Sequence, residues 1–167
     1  CASSCLDCPA GKYVEVHAGL ADCSRAAGGG DKCYHFFSTS TAWATARQSC
    51  LDLGGDLACP ANQAEQDHLE QLTSGTRAWI GANDTKTEGW WGTAAGDALY
   101  YAKWCSGQPD NYRGSEHCAD MNAGSDGCWN DRMCTDRLPY VCEFARAVST
   151  AAECTSCEAG KFSATSA

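Results

Sequence analysis

The sequence predicts an α+β domain with two helices, small antiparallel sheets and one long loop, held by disulfides and flanked by small cysteine-rich segments. Three observations carry that expectation. Fourteen cysteines in 167 residues are an even number at high density, the mark of a disulfide framework. Two stretches show helical spacing with recognisable start or stop signals, and short strand-like runs lie on either side of them. Between these runs, the stretch from Asn83 to Arg113 is polar and glycine-rich, and a loop of that length in a compact domain usually carries function.

The elements follow in order. Ala26-Ala-Gly-Gly-Gly-Asp31 reads as a turn, and Tyr34-His-Phe-Phe37 as a short aromatic strand. From Thr41, Trp43, Ala46, Cys50 and Leu53 recur at helical spacing, and Gly54-Gly55 ends that helix. Asn62, with Glu65 three residues on, forms a capping-box pattern that opens a second helix running to about Thr73 and burying Leu69 and Leu72. Ala78-Trp79-Ile80-Gly81-Ala82 has the composition of a buried strand. After the long loop come three short strands, at about His117–Asn122, Cys128–Met133 and Leu138–Phe144. Trp43, Trp79 and Trp129 read as core aromatics. Trp90, Trp91, Tyr100, Tyr101 and Trp104 either fill a core under the loop or form an exposed patch.

Composition narrows the function classes. A net charge of -9 argues against nucleic acid and anionic membrane surfaces, which select basic patches. No run of 18 apolar residues exists to span a membrane, and no signal segment precedes Cys1, so a mature chain or an excerpt of a longer protein is expected. Cys5-x-x-Cys8 and Cys154-x-x-Cys157 alone would also suit zinc in a cytosolic protein. Fourteen thiols spread along the whole chain favour an oxidising, extracellular setting instead. No Ser-His-Asp grouping, HExxH motif or phosphate loop is present, so an enzyme is not expected.

The two ends share the pattern C-x-x-C-x-A-G-K-aromatic, at Cys5 to Tyr13 and at Cys154 to Phe162. They resemble the short cysteine-rich repeats of ephrin-receptor-like type, which rely on disulfides because they are too small to hold a core. The expected organisation is a repeat over 1–22, a central domain over 23–146 and the start of a second repeat over 147–167.

The central block carries Cys33-Tyr34, Ala46-Arg-Gln-Ser-Cys50, Gly54-Gly55-Asp-Leu57-Ala58, Trp79-Ile-Gly81, Gln108-Pro109-Asp110, Cys118, Trp129-Asn130-Asp131, Cys134 and Tyr140-Val-Cys142-Glu143. In this order the set resembles the C-type lectin-like family and implies its fold. The resemblance implies disulfides Cys50–Cys142 and Cys118–Cys134, and Cys23–Cys33 as the extra amino-terminal pair of longer members. Cys105 and Cys128 lie just before site triplets and are candidates to staple the site loops. Cys1, Cys5, Cys8, Cys59, Cys154 and Cys157 have no pairing legible from sequence.

The same resemblance implies a calcium site formed by Gln108, Asp110, Glu116, Asn130 and Asp131, with Pro109 in the cis form. The chemistry agrees. Calcium takes six to eight oxygens, and three carboxylates with two amide oxygens supply a hard, nearly charge-balanced set without thiolate or imidazole. Neighbouring sugar hydroxyls can complete the coordination, donating to the carboxylates and accepting from the amides. Gln108 before Asp110 is the order of galactose-type members, and Tyr112 stands where those members place a tryptophan against the sugar. A second calcium site maps onto Asp84, Glu88, Asn111 and Glu116, but His117 replaces its usual acid, which predicts a weak or absent site. Asn83-Asp-Thr85 is an N-glycosylation sequon.

The expectation is therefore a calcium-dependent lectin module of a larger secreted or cell-surface adhesive protein, leaning to galactose-type glycans. The alternative is a structural module of a matrix, adhesin or filament, in which loops contact neighbouring copies and sugar binding is not essential.

Overall fold

A computed structural model describes residues 32–145. The two flanking repeats, Cys23 and the turn at 26–31 lie outside the described residues. The chain runs β1 (Lys32–Thr41), α1 (Trp43–Asp52), β2 (Asp56–Leu57), α2 (Gln63–Thr73) and β3 (Ala78–Asn83). After the long loop come β4 (Cys118–Met121), β5 (Asn130–Arg132) and β6 (Leu138–Ala145). The sequence expectation of small antiparallel sheets resolves into one six-stranded sheet of order β1-β6-β3-β4-β5, with β2 also on β6. Every pairing is antiparallel except β3 with β6, which meet in parallel at Trp79 and Tyr140.

Local signals in the sequence place the helices. Asn62 caps α2: its Oδ1 accepts the Glu65 N–H at 3.0 Å. Buried Glu65 also accepts the Tyr34 hydroxyl at 2.9 Å and the Ala61 N–H at 3.0 Å, so a residue expected only as a cap partner joins α2 to β1. Its Leu69 is fully buried and Leu72 half-buried. α1 ends where Gly54 takes φ 82°, and a Cβ on Gly55 would lie 2.3 Å from the Glu143 carbonyl, so the chain returns to β6 only through glycine.

Trp79 and Trp129 are fully buried and Trp43 nearly so, as expected of core aromatics. Each indole N–H finds an acceptor: Trp43 the Ile80 carbonyl (2.8 Å), Trp79 the Thr41 carbonyl (2.9 Å), Trp129 the Gln66 Oε1 (2.8 Å). Buried Asp120 is paired with Arg77 and Arg132 on the β4–β5 face. Burial raises the Asp120 carboxyl above its usual range, and the two guanidiniums oppose that rise.

Three disulfides lie among the described residues. Cys50–Cys142 ties α1 to β6, Cys118–Cys134 joins the start of β4 to the chain after β5, and Cys105–Cys128 staples the long loop to the approach of β5. Cys59 is an unpaired, buried thiol, pushed up to about 12 by burial and then by the Glu143 charge.

Candidate metal and sugar site

The loop from 84 to 117 is packed rather than loose. Trp91 and Trp104 meet edge to face with centroids 4.5 Å apart, and Trp104 meets Trp129 at 5.6 Å. Main-chain bonds from Cys105 N–H to the Trp129 carbonyl (2.8 Å) and from Trp129 N–H to the Lys103 carbonyl (2.7 Å) flank the Cys105–Cys128 staple. Both possibilities for the loop aromatics occur at once: Trp91, Tyr101 and Trp104 pack on the core, while Trp90 and Tyr100 stand 80% and 87% exposed.

This anchoring delivers Gln108-Pro109-Asp110 beside β5. The Gln108–Pro109 bond is cis, as the resemblance implies. Asp131 is fully buried, and its Oδ1 and Oδ2 accept the N–H groups of Asp110 (3.2 Å) and Asn111 (2.6 Å). The carboxylates of Asp110, Glu116 and Asp131 each place an oxygen within 4.8 Å of the others. Gln108 Oε1 accepts the Asp110 N–H at 3.0 Å. The Asn130 amide nitrogen donates to the Asp131 carbonyl, which leaves its oxygen for another partner. Glu116 is positioned by its own N–H, which donates to Asn111 Oδ1 at 3.0 Å. Its carboxyl is raised above the ordinary range by burial first, then by the charges of Asp131 and Asp110; the Tyr112 N–H and Arg132 pull the other way.

Crowded carboxylates, one of them fully buried, repel one another unless a cation sits among them. The donors are all oxygen, so they fit a hard divalent ion. Tyr112 lies beside this cluster in a short helical turn, 59% exposed, with the Arg113 guanidinium 5.1 Å from its ring centroid. The ring offers one apolar face at the rim of the acidic cluster.

Asp84, Glu88 and His117 form a second cluster. Asn111, assigned with Asp84 and Glu88 by resemblance, is engaged with Glu116 and Asp131 of the first cluster. His117, read from sequence as a loss to this position, stands between both carboxylates, 3.1 Å from Asp84 and 3.2 Å from Glu88. The sequence marks the exchange of an acid for His117 but not the direction of its ring. Asn83, the sequon residue, ends β3 half-buried, and its amide nitrogen donates to the Gly81 and Thr93 carbonyls at 3.3 Å each. A glycan there would take the place of one of the two N–H groups, so at least one of these bonds would be lost.

A disulfide-stapled sheet carries a long, packed loop whose Asp110 and Glu116 meet Asp131 of β5 in an acidic cluster. The chain belongs to the C-type lectin family: the Lectin C-type domain matches residues 39–144. It is 37% identical over 118 residues to the galactose-specific lectin nattectin of Thalassophryne nattereri, covering 68% of this chain and 74% of that one. It is 34% identical over 122 residues to tetranectin of Bos taurus, spanning 60% of that protein's length and 68% of this chain. Among solved structures, herring type II antifreeze protein superposes with a TM-score of 0.65 at 32% identity, covering 69% of this chain and 91% of that one.

Proposed function

We propose that this chain is a calcium-dependent carbohydrate-binding module with a preference for galactose-type sugars. The observation that carries this reading is the convergence of Asp110, Glu116 and Asp131. Gln108 and Asn130 flank them through hydrogen bonds to the same triplets. These five residues would hold calcium, which would supply open coordination for two vicinal sugar hydroxyls. The carboxylates accept from those hydroxyls and the amides donate to them, so hydroxyl stereochemistry decides affinity. Gln108 ahead of Asp110 sets the galactose order, and exposed Tyr112 supplies a platform for the sugar's apolar face. The likeness to a galactose-specific lectin supports this reading.

A single shallow sugar site binds at about millimolar strength, near -4 kcal/mol. Adhesion would therefore require several copies, which the repeat-like ends at Cys5–Tyr13 and Cys154–Phe162 suit in a longer extracellular protein. The disulfides belong to an oxidising compartment, and no helix of the described residues is long and apolar enough to cross a membrane. The domain bounds 23–146 and the role of the flanking repeats belong to the same proposal.

The test is retention on immobilised galactose and mannose, with calcium and then with chelator. Calcium-dependent retention on galactose supports the full reading. Calcium binding without retention on either resin moves the function to a structural module, for which the exposed Trp90 and Tyr100 would supply contact surface.

A further inference from the structure

The Asp84–Glu88–His117 cluster is built by the sheet. Asn83 pairs with Cys118 across β3 and β4, and one residue on, the Asp84 N–H donates to the His117 carbonyl at 3.1 Å. The His117 N–H in turn donates to the Arg132 carbonyl at 3.2 Å. Both residues are thus held by main-chain bonds to neighbouring strands. The Asp84 side chain is 1% exposed; its Oδ2 accepts the Gly89 N–H at 2.8 Å, which leaves Oδ1 facing His117 Nδ1. A turn closed from Thr87 N–H to the Asp84 carbonyl (3.0 Å) brings up Glu88, whose Oε2 lies 3.2 Å from the same nitrogen. Glu88 is 55% exposed and the His117 ring 35%, so the cluster opens to solvent on that side.

These donors do not fit calcium. A calcium ion needs six to eight oxygens, and here an imidazole nitrogen stands between the only two carboxylates of the cluster. The Asn111 oxygen that would add to them is turned to the Glu116 N–H. Mixed imidazole and carboxylate donors instead suit borderline ions such as zinc, nickel and copper. The three donor atoms lie within 4.8 Å of one another, and His117 Nδ1 is within hydrogen-bond distance of both carboxylates (3.1 and 3.2 Å), so one ion could take the place of the proton they now share.

We propose that Asp84, Glu88 and His117 form a second site that binds a divalent transition cation of the zinc class, with solvent filling the remaining coordination on the exposed side of Glu88. The consecutive residues Glu116 and His117 then serve two ions of different chemistry. His117 binds as the neutral imidazole with its proton on Nε2.

The test uses the full chain in saturating calcium, titrated with cobalt as the spectroscopic probe and with zinc by calorimetry. The proposal expects one equivalent of cobalt with visible d–d absorption, displaced by zinc and unaffected by added calcium or magnesium. His117→Gln should abolish this binding while circular dichroism and the calcium isotherm of the Asp110–Asp131 site stay unchanged. His117→Asp should exchange the cobalt equivalent for a second calcium equivalent. Cobalt bound equally by the His117→Gln chain, cobalt displaced mole for mole by calcium, or no cobalt bound would each overturn the proposal. Calcium and galactose binding are read separately, so failure of the lectin reading leaves this result intact and the reverse.

Discussion

Asp131 shows how one carboxylate is committed before any ion arrives. Buried, with both oxygens accepting N–H groups of Asp110 and Asn111, it holds the loop that carries three other candidate ligands, Gln108, Asp110 and Glu116. Asp131→Ala removes a proposed ligand and these two acceptors together. The expected outcome is loss of calcium binding and of galactose retention, with the disulfide-linked sheet still folded by circular dichroism. Retained calcium binding would reject the assignment. Selectivity rests on a different pair. Exchanging Gln108→Glu together with Asp110→Asn reverses the order of acid and amide about the cis proline, and retention should shift from galactose towards mannose. Unchanged selectivity on the two resins would remove the stereochemical argument.

At the scale of elements, α2 and the long loop are secured differently. α2 begins on a side-chain cap that the sequence displays as Asn62 with Glu65. Asn62→Ala should cost about 1 kcal/mol, read as a lower denaturation midpoint at constant slope. The loop is held by isolated main-chain bridges, by Trp91 and Trp104 packed on the core, and by the Cys105–Cys128 staple. Replacing both cysteines by serine should cost up to about 3 kcal/mol of stability, less to the extent that the other disulfides already restrict the unfolded chain. Calcium affinity should fall with it, because Gln108 follows the staple by three residues. Calorimetry that finds the ion bound equally tightly would separate the staple from the site.

For the whole molecule, the cluster of Asp110, Glu116 and Asp131 is a local electrostatic cost carried by a sheet and disulfides elsewhere. An ion that binds only the folded chain stabilises it, by about 2.7 kcal/mol at a concentration one hundred times its Kd. With transition cations absent, removing calcium with chelator should therefore lower the melting temperature of the wild-type chain, and should leave that of Asp131→Ala unchanged. Equal melting temperatures with and without calcium would mean that the cluster does not bind the ion in the folded state.

Much of this protein is legible in its residues. Helical spacing, the Asn62–Glu65 box and Gly54-Gly55 set α1 and α2, because caps and glycine conformations are decided within a few residues. The Gln-Pro-Asp and Trp-Asn-Asp triplets mark the first cluster because most of its candidate ligands come as short local strings. Three relations were decided only by the tertiary structure. The strands join in one sheet because β6 accepts partners on both edges, a choice made by contacts distant in sequence. Among the described residues Cys59 is left as a buried thiol, since pairing requires a second sulfur within reach and not merely an even count. His117 turns from a missing acid into a donor facing two carboxylates, because main-chain pairing of β3 with β4 sets Asp84 beside it. Side-chain type is written in the chain, whereas the direction of a side chain across a sheet is fixed only when distant strands meet.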